Sequence, residues 1–523
     1  MHQQPTPFPT LSRRQALKRV SQAGLIGLGA SYPALFAQAA METGTNSASD
    51  TVWRAMSRVG YGPTPALISS IIKADSPQSW ALAQLDAAWA ASQQAPRIEA
   101  DLASFNAPLP ELMEGAKRER EARKLLKANA VDDGGSPQLR RMDFSGLLDP
   151  VHFSRTMVQQ ASAWRLISVS QPDIENPLLA RLTEFWFNHL SVFVGKGSVR
   201  PFTGHYFVNV ARTHALGKFE DLLLASARHP AMLGYLDQAQ SVAEGSPGPQ
   251  GKTRGLNENY ARELMELHTL GVNGGYSQTD VRELARVLTG WTISPQDASG
   301  FRFANRLHDN GRKVVLGTTF PREDSAAGEQ EGIDAIRMLA RHPATARRVS
   351  LRLARFFVAD EPPAGLVAQM VDSFNSTQGD LRALMRTLLQ SPEFWNPKNR
   401  LFKTPMDYAA SALAATHNAR AAATKTTDAG RRDLVLATGF LSGAGQPLFG
   451  WQTPDGYGFD AATWLVPEAL TRRADFALAL ARNLPEQDFL TPYLGATTRD
   501  AVANENPLLR TGLMLASPEF MSK

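Results

Sequence analysis

Apolar residues recur at helical spacing along most of the chain after residue 50. The clearest runs are residues 177–193, 219–236, 258–270 and 279–288, in which apolar positions return every three or four residues. Segments with the alternating apolar pattern of a strand are scarce. The pattern therefore predicts a mainly α fold, which we expect to form one large multi-helix domain over residues 50–523.

One short region departs from this helical pattern. Residues 301–316 contain two apolar segments on either side of the dipeptide Asn310-Gly311. An Asn-Gly pair favours the positive φ angles of a two-residue turn between antiparallel strands. The sequence therefore predicts a small β-hairpin inserted near residues 301–316.

The first 39 residues have the order of a twin-arginine signal peptide. Arg13 and Arg14 precede a Gly- and Ala-rich apolar stretch, and the Ala-Gln-Ala sequence at 37–39 offers a small-x-small cleavage site. The apolar stretch is shorter than the about 20 residues that a membrane-spanning helix needs. We therefore predict export by the twin-arginine translocation machinery, cleavage after Ala39, and a periplasmic or secreted mature protein. A generic secretory signal or a retained anchor is the alternative.

Composition and charge exclude several classes of protein. The 523-residue chain has no cysteine, which excludes disulfide frameworks, cysteine-held metal clusters and thiol nucleophiles. It carries 55 Lys and Arg against 50 Asp and Glu, but four of these bases lie in the first 39 residues, which contain no acid. The remainder is nearly neutral, so we expect no nucleic-acid partner. No later window reaches about 18 consecutive apolar residues, so we expect no integral membrane span in the mature chain.

The segment of residues 257–291 is the richest in polar side chains with a regular spacing. It has the outline of two helices joined by a turn: Gly271 fits a helix C-terminus, residues 273–275 are Asn-Gly-Gly, and Ser277 with Asp280 fits a capping arrangement. At about 100° per residue, four polar side chains of the first helix share one face at the margin of its apolar face. These are Asn259, Arg262, Glu263 and Glu266.

We expect Glu263 and Glu266 to carry the chemistry of the protein, as metal ligands or as general acid–base groups. Regular helical spacing places His268 away from Glu266, so a metal site needs a histidine from another segment. We expect His189, which follows a run of aromatic residues, and His308, near the predicted hairpin turn, to complete a site for a divalent metal. His189 is alternatively a catalytic base, and both histidines are alternatively ordinary core residues.

Four further polar residues complete the candidate site. We expect Arg262 to bind substrate anions, and Asn257, Asn259 and Asp237 to bind other parts of the substrate. An alternative is purely structural. Glu258 stands four residues before Arg262, which is the favourable order for a surface ion pair, and the polar face is then a solvated surface.

Five segments of the chain, taken together, resemble the sequence pattern of one bacterial family. They are residues 58–65, 185–189, 229–237, 257–291 and 445–449. Over nearly the whole mature length the chain resembles the domain-of-unknown-function family numbered 1800, most specifically in the sequence Asn-Glu-Asn-x-Ala-Arg-Glu-x-x-Glu-Leu that begins at Asn257. The resemblance implies an exported, mostly helical protein with no established activity. It also implies a gene often placed beside that of another exported family, numbered 1501, which looks like a sulfatase or phosphatase relative.

Two classes of function stay open at this point. The first is an exported enzyme, metal-assisted or acid–base, with its site beside the predicted helix at 257–270. The second is a non-enzymatic binding or assembly partner of a co-exported sulfatase-like protein, for which the same polar face serves as the contact surface.

Overall fold

The computed structural model describes residues 48–132, 151–247, 253–423 and 428–523. The predicted signal peptide, residues 1–39, lies outside them. The contacts divide the chain into two compact units, and the single large domain over residues 50–523 stays a prediction. The first unit comprises the chain up to Pro77 with Trp395–Gly445 and Asp460–Lys523, and the second comprises Gln78–Phe394 with Gln446–Phe459.

Helices dominate both units, which confirms the predicted mainly α fold. The α-helices in chain order are α1 (Ala48–Arg54), α2 (Pro65–Lys73), α3 (Pro77–Ser92), α4 (Leu109–Asp132), α5 (Phe153–Ser170), α6 (Pro177–His189), α7 (Thr203–Tyr206), α8 (Phe219–Arg228), α9 (Pro230–Tyr235), α10 (Glu258–Glu263), α11 (Gln278–Val287), α12 (Glu329–Ala340), α13 (Pro343–Phe357), α14 (Ala364–Ser376), α15 (Leu381–Gln390), α16 (Pro392–Trp395), α17 (Pro405–Ala423), α18 (Asp428–Gly443), α19 (Ala461–Trp464), α20 (Pro467–Leu480), α21 (Ala496–Ala503) and α22 (Pro507–Leu515). The π-helical segments Ala55–Val59, Phe207–Arg212 and Leu264–His268 continue α1, α7 and α10. No helix in the described ranges is long and apolar enough to cross a membrane.

Local sequence signals explain where the helices around the candidate site begin and end. Asn176 caps α6, because its side-chain oxygen accepts hydrogen bonds from the N–H groups of Leu178 and Leu179, at 3.0 Å each. The predicted capping of α11 is confirmed as a reciprocal capping box between Ser277 and Asp280. The chain leaves the helical segment before α11 through Gly271, whose φ of +87° is the left-handed conformation expected after a helix.

The first unit is built mainly from helices of the C-terminal part of the chain. In it, α17 packs against α18, α18 against α20, and α20 against α22. The C-terminal residue is part of this core: the buried side chains of Lys523 and Asp407 form an ion pair at 2.6 Å. Arg473 lies over the ring of Phe402, with 4.3 Å from its guanidinium carbon to the ring centre. In this unit a carboxylate therefore holds the Lys523 ammonium, and an aromatic face holds the Arg473 guanidinium.

The second unit contains every predicted site residue and is organised around α6, which is buried along almost its whole length. Its polar residues are held by partners from neighbouring elements. Glu184 takes two hydrogen bonds from Arg165, at 2.6 and 2.5 Å, and the guanidinium of Arg165 lies 4.6 Å from the ring centre of Phe449. The last residue of α6 is His189, so burial of this helix also determines the surroundings of that imidazole.

The predicted small β insertion is confirmed, and its strands pair differently from a hairpin with its turn at Asn310-Gly311. Strand β4 (Phe301–Phe303) pairs with β3 (Trp291–Ile293), and β5 (Lys313–Val315) pairs with β6 (Thr318–Phe320), both antiparallel. Asn310-Gly311 is not a strand turn, because the Asp309 carboxylate accepts a hydrogen bond from the N–H of Gly311 at 2.8 Å and fixes a local loop. A short pair of β1 (Ser246–Pro247) with β2 (Thr253–Arg254) precedes α10.

Candidate functional site

The start of α10 is fixed to the end of α9 by Asn257. Its side-chain oxygen accepts a hydrogen bond from the N–H of Asn259 at 2.9 Å. Its amide donates to the carbonyl oxygens of Leu236 and Asp237, at 3.2 and 3.0 Å. All of these hydrogen-bonding groups of Asn257 are used within the protein, so the structure gives the residue a positioning role. The side chain of Asn259 is exposed.

Asp237 and Arg262 both have partners on the protein. Asp237 has a left-handed backbone, with φ of +57°, and its carboxylate lies 2.6 Å from the ammonium of Lys196. Arg262 donates to the side-chain oxygen of Gln278 at 2.9 Å and lies 3.5 Å from the Glu258 carboxylate. The surface ion pair considered as an alternative for Arg262 is therefore formed.

Glu263 is the last residue of α10, and Glu266 lies within the π-helical segment Leu264–His268. Glu266 accepts a hydrogen bond from the hydroxyl of Tyr276 at 3.1 Å. Glu263 forms no hydrogen bond with another residue of the described part of the chain. Burial raises the pKa of the half-buried Glu263 carboxyl, the charges of Glu266 and Asp455 raise it further, and Arg262 opposes them.

Asp455 lies in the segment Gln446–Phe459, which belongs to the second unit although the residues on either side of it belong to the first. We call it the 446–459 segment. Asn188 holds it by a pair of hydrogen bonds, donating to the carbonyl of Tyr457 at 2.9 Å and accepting from its N–H at 2.7 Å. Tyr235 holds it at a second point, donating from its hydroxyl to the carbonyl of Gln452 at 2.7 Å. The Asp455 carboxylate is itself oriented by Trp451, whose indole N–H donates to it at 2.7 Å.

Two arginines of α13 lie beside these acids. Arg348 and Arg352 are one helical turn apart, so they share a face of the helix. The Nε of Arg348 donates to the carbonyl of Leu267 at 2.9 Å, next to the π-helical segment. The guanidinium carbon of Arg352 lies 5.7 Å from the ring centre of Phe459. Its Nε is buried and has no hydrogen-bond partner.

Two buried histidines lie near the arginines of α13. His189 Nε2 lies 3.0 Å from the carbonyl oxygen of His268. The Nδ1 of His189 and both ring nitrogens of His268 are buried without a hydrogen-bond partner among the described residues. Burial, with the charges of Arg348 and Arg352, lowers the pKa of His268 to about 3 and that of His189 well below its usual range. Both imidazoles are therefore neutral at pH 7, and each has polar atoms without the partner that buried groups normally have.

His308 is held in a different set of contacts. Its Nδ1 lies 2.9 Å from the carbonyl oxygen of Thr289, and its Nε2 lies 3.2 Å from a carboxylate oxygen of Glu331. Lys313 donates to the other oxygen of Glu331 at 2.7 Å. These three ionisable side chains, His308, Glu331 and Lys313, are almost completely buried.

The predicted metal-ligand set is not assembled in the described ranges. His189 contacts the His268 carbonyl, His308 contacts Glu331, and Glu266 contacts Tyr276. No group of three or more His, Asp or Glu side chains in these ranges is placed to hold a metal ion. Each histidine comes from a buried element whose neighbours are fixed by the core, and a metal at the predicted ligands stays a prediction.

Four residues of the site lie outside the sequence prediction: His268, Arg348, Arg352 and Asp455. Regular helical spacing placed His268 on the far side of the helix, but the π-helical segment shifts the side chains that follow Glu263. The signal that points to the arginines is their four-residue spacing on an amphipathic helix, which is visible in the sequence. Asp455 lies in a loop rich in Gly and aromatic residues, where no regular spacing points to it.

Comparisons with known proteins give one match. A family model described as "Protein of unknown function (DUF1800)" matches residues 54–522. No curated protein and no solved structure matches the chain. The matched range includes the α10–α11 hairpin, α13 and the 446–459 segment, and thus every residue of the site described above. On this coverage the chain belongs to the DUF1800 family.

Proposed function

We propose that this protein is an exported enzyme that uses the Glu263 carboxyl as a general acid and base. The observation that carries the proposal is a half-buried carboxyl without a hydrogen-bond partner, placed beside two further acids. A carboxyl with a raised pKa exchanges its proton closer to neutral pH than an ordinary glutamate does. Groups of this kind, perturbed by burial and by like charges, are concentrated at functional sites.

The neighbours of Glu263 support distinct roles in such a reaction. Glu266 keeps its hydrogen bond from Tyr276 and acts on Glu263 through its charge. The positive charges of Arg348 and Arg352 act on Glu266 and Asp455, and we assign these arginines the anion-binding role that the sequence suggested for Arg262. His189 is neutral and buried, so we assign it a role in positioning and hydrogen bonding.

The metal-assisted form of this hypothesis stays a prediction. Hard divalent cations prefer carboxylate oxygens, which Glu263 and Glu266 of the predicted ligand set carry. The side chains alone suffice for proton transfer. Elemental analysis of the purified protein beside Glu263→Gln tests whether a stoichiometric metal depends on this carboxylate.

The Glu263 carboxyl is expected to titrate above the ordinary glutamate pKa of about 4.3. We expect Glu266→Gln to lower the pKa of Glu263, because the Glu266 charge raises it. The measurement is a carbon-13 NMR titration of glutamate carboxyls, with the resonance assigned by its loss in Glu263→Gln. Glu244→Gln, which changes an exposed surface residue, is the matched control. An ordinary pKa for Glu263 would overturn the acid–base proposal.

Turnover provides the second arm of this test. On chromogenic esters, phosphoesters and glycosides, we expect Glu263→Gln to lower the rate on the accepted class by about 100-fold or more, the usual scale for a lost general acid or base. Glu244→Gln should retain the wild-type rate. An unchanged rate in Glu263→Gln would remove Glu263 from the mechanism. No turnover, together with stable capture of a co-exported protein, would favour the assembly-partner alternative.

We further propose that the chain is exported by the twin-arginine route. Replacing Arg13 and Arg14 together with lysine is expected to retain most of the protein in the cytoplasm as the uncleaved precursor, because this route recognises the arginine pair. Fractionation followed by immunoblotting measures the distribution. Lys18→Arg, which keeps the charge and the arginine pair, should be exported normally. Unimpaired export of the double-lysine variant would contradict dependence on the route.

A further inference from the structure

Arg352 differs from Arg165 and Arg212, two enclosed arginines of the second unit, in having no carboxylate partner within hydrogen-bond distance among the described residues. Arg165 forms a two-bond ion pair with Glu184, and the Nε of Arg212 donates to Glu175 at 2.5 Å. Arg352 forms no hydrogen bond or ion pair with a residue of the described ranges, and its Nε is buried. A guanidinium has five N–H donors, so leaving them unused in a partly enclosed position is costly unless a ligand or water satisfies them.

The buried imidazoles are linked to Arg352 through one aromatic cluster. The ring of Phe459, over which Arg352 lies, has its centre 6.1 Å from that of Phe185. The ring of Phe185 stacks in turn on His189, with 6.1 Å between centres and an angle of 10° between planes. His189 contacts the carbonyl of His268. A carbonyl oxygen only accepts, so the one N–H of neutral His189 is used in this contact, and the unused donors beside the cluster belong to Arg352 and His268.

We infer that Arg352, with the buried imidazole of His268, forms a subsite for a singly charged oxyanion group of the substrate. The inference rests on the proposed function, since it names the substrate class for the site that contains Glu263. The guanidinium of Arg352 and the one N–H of the neutral His268 imidazole are donors for an oxyanion, and they come from two different elements. A phosphodiester or a sulfate ester has the oxygens to accept from both.

The charges around Arg352 favour one negative charge on the ligand over two. The Glu266 charge acts on Arg348 and the Asp455 charge acts on Arg352, in each case against the lowering of the guanidinium pKa by burial. With Glu263 protonated, two positive groups balance two negative groups. A dianion would bring two unbalanced negative charges beside the carboxylates. A monoanion brings only one, so the carboxylates repel it less. Bound anion therefore also favours the proton-donating form of Glu263.

Dimethyl phosphate is a suitable probe, because it carries one negative charge and is observed directly by phosphorus-31 NMR. We expect it to bind the full-length mature protein, and Arg352→Met to weaken binding by about tenfold or more, the effect of losing a charge-assisted interaction. Arg355→Met is the matched control, since this exposed arginine lies on the same helix; its affinity should stay within about twofold of wild type. Inorganic phosphate at pH 8, largely a dianion, should bind about tenfold more weakly.

Several outcomes would overturn the inference. Wild-type affinity in Arg352→Met, or no saturable binding to the wild-type protein, removes the subsite, and equal affinity for the dianion removes its charge selectivity. If Arg352→Met does not fold, Arg352→Lys keeps the charge but not the planar fork, and we expect it to weaken binding at least about threefold. Glu263→Gln should bind the probe at least as well as wild type. If binding depends on Arg352 but Glu263 has an ordinary pKa, the acid–base proposal is rejected and the anion subsite is retained.

Discussion

Replacing Glu331 with glutamine is expected to lower the free energy of unfolding by about 3–5 kcal/mol, the range for breaking a buried ion pair. Glu331 accepts from Lys313 at 2.7 Å and from the N–H of Gly328 at 2.9 Å, and lies 3.2 Å from Nε2 of His308. The side chain of Lys313 is 0% exposed and that of Glu331 1%. Glutamine fills the same space, so the loss reports the uncompensated ammonium of Lys313 and not a cavity.

Two further variants test this physical reason by urea unfolding. The double variant Lys313→Met with Glu331→Met removes both charges, so it should be less destabilised than Glu331→Gln. The exposed pair of Arg282 and Glu244, with side chains 54% and 61% exposed, is the surface comparison; Arg282→Met should cost less than about 1 kcal/mol. A Glu331→Gln protein as stable as Arg282→Met would show that the buried charge is not the cause.

The pH dependence has a defined sign. Burial opposes ionisation of Glu331, but hydrogen bonds with His308 and Lys313 outweigh it and lower the pKa of the carboxyl. The stability that this group contributes is therefore present above the ordinary glutamate pKa of about 4.3 and is lost as the pH falls through the folded-state value. Glu331→Gln lacks this titration. The difference in free energy of unfolding between wild type and Glu331→Gln should therefore be largest near pH 7 and should shrink below about pH 4.

The sequence predicted the local parts of the fold well. Helical periodicity placed α6, α8 and α11, and the turn residues predicted the helix ends at Gly271 and Ser277, because these features depend on neighbours within one turn of chain. The small β insertion is present as well, but its turn lies at a different place, because local sequence does not record which strands pair. Asn310-Gly311 has the preferred turn sequence, but Leu316 and Gly317 have the positive φ angles, 49° and 77°, between β5 and β6.

The candidate site was predictable only in part. Glu263 and Glu266 were found because they lie on one short helix, whereas their electrostatic partners come from positions far along the chain. Asp455 reaches the site through the hydrogen bonds that join Asn188 to Tyr457, a contact that no local pattern records. Pairing of His189 with the His268 carbonyl likewise depends on packing of whole helices. A regular helical spacing also misplaced His268, since the π-helical segment changes the register within a single turn.

Gly456→Ala is expected to detach the 446–459 segment from α6 and to destabilise the second unit. Gly456 has a φ of +75°, and a Cβ atom there would lie 2.1 Å from the backbone oxygen of Asn188. Neither backbone can yield without breaking the hydrogen bonds between Asn188 and Tyr457. We expect a loss of about 2–4 kcal/mol, from left-handed strain and overpacking together, and faster hydrogen exchange at the Tyr457 amide.

Two glycine controls separate these contributions. Gly317 has a φ of +77° but open space where a Cβ would lie, so Gly317→Ala measures conformational strain alone, about 1 kcal/mol. Gly197 has neither a positive φ nor a neighbour within 4 Å, so Gly197→Ala should be close to neutral. If Gly456→Ala loses no more stability than Gly317→Ala and keeps the Tyr457 amide protected, the segment does not depend on close approach at Gly456. In that case Asp455 would need another contact to hold it beside Glu263 and Arg352.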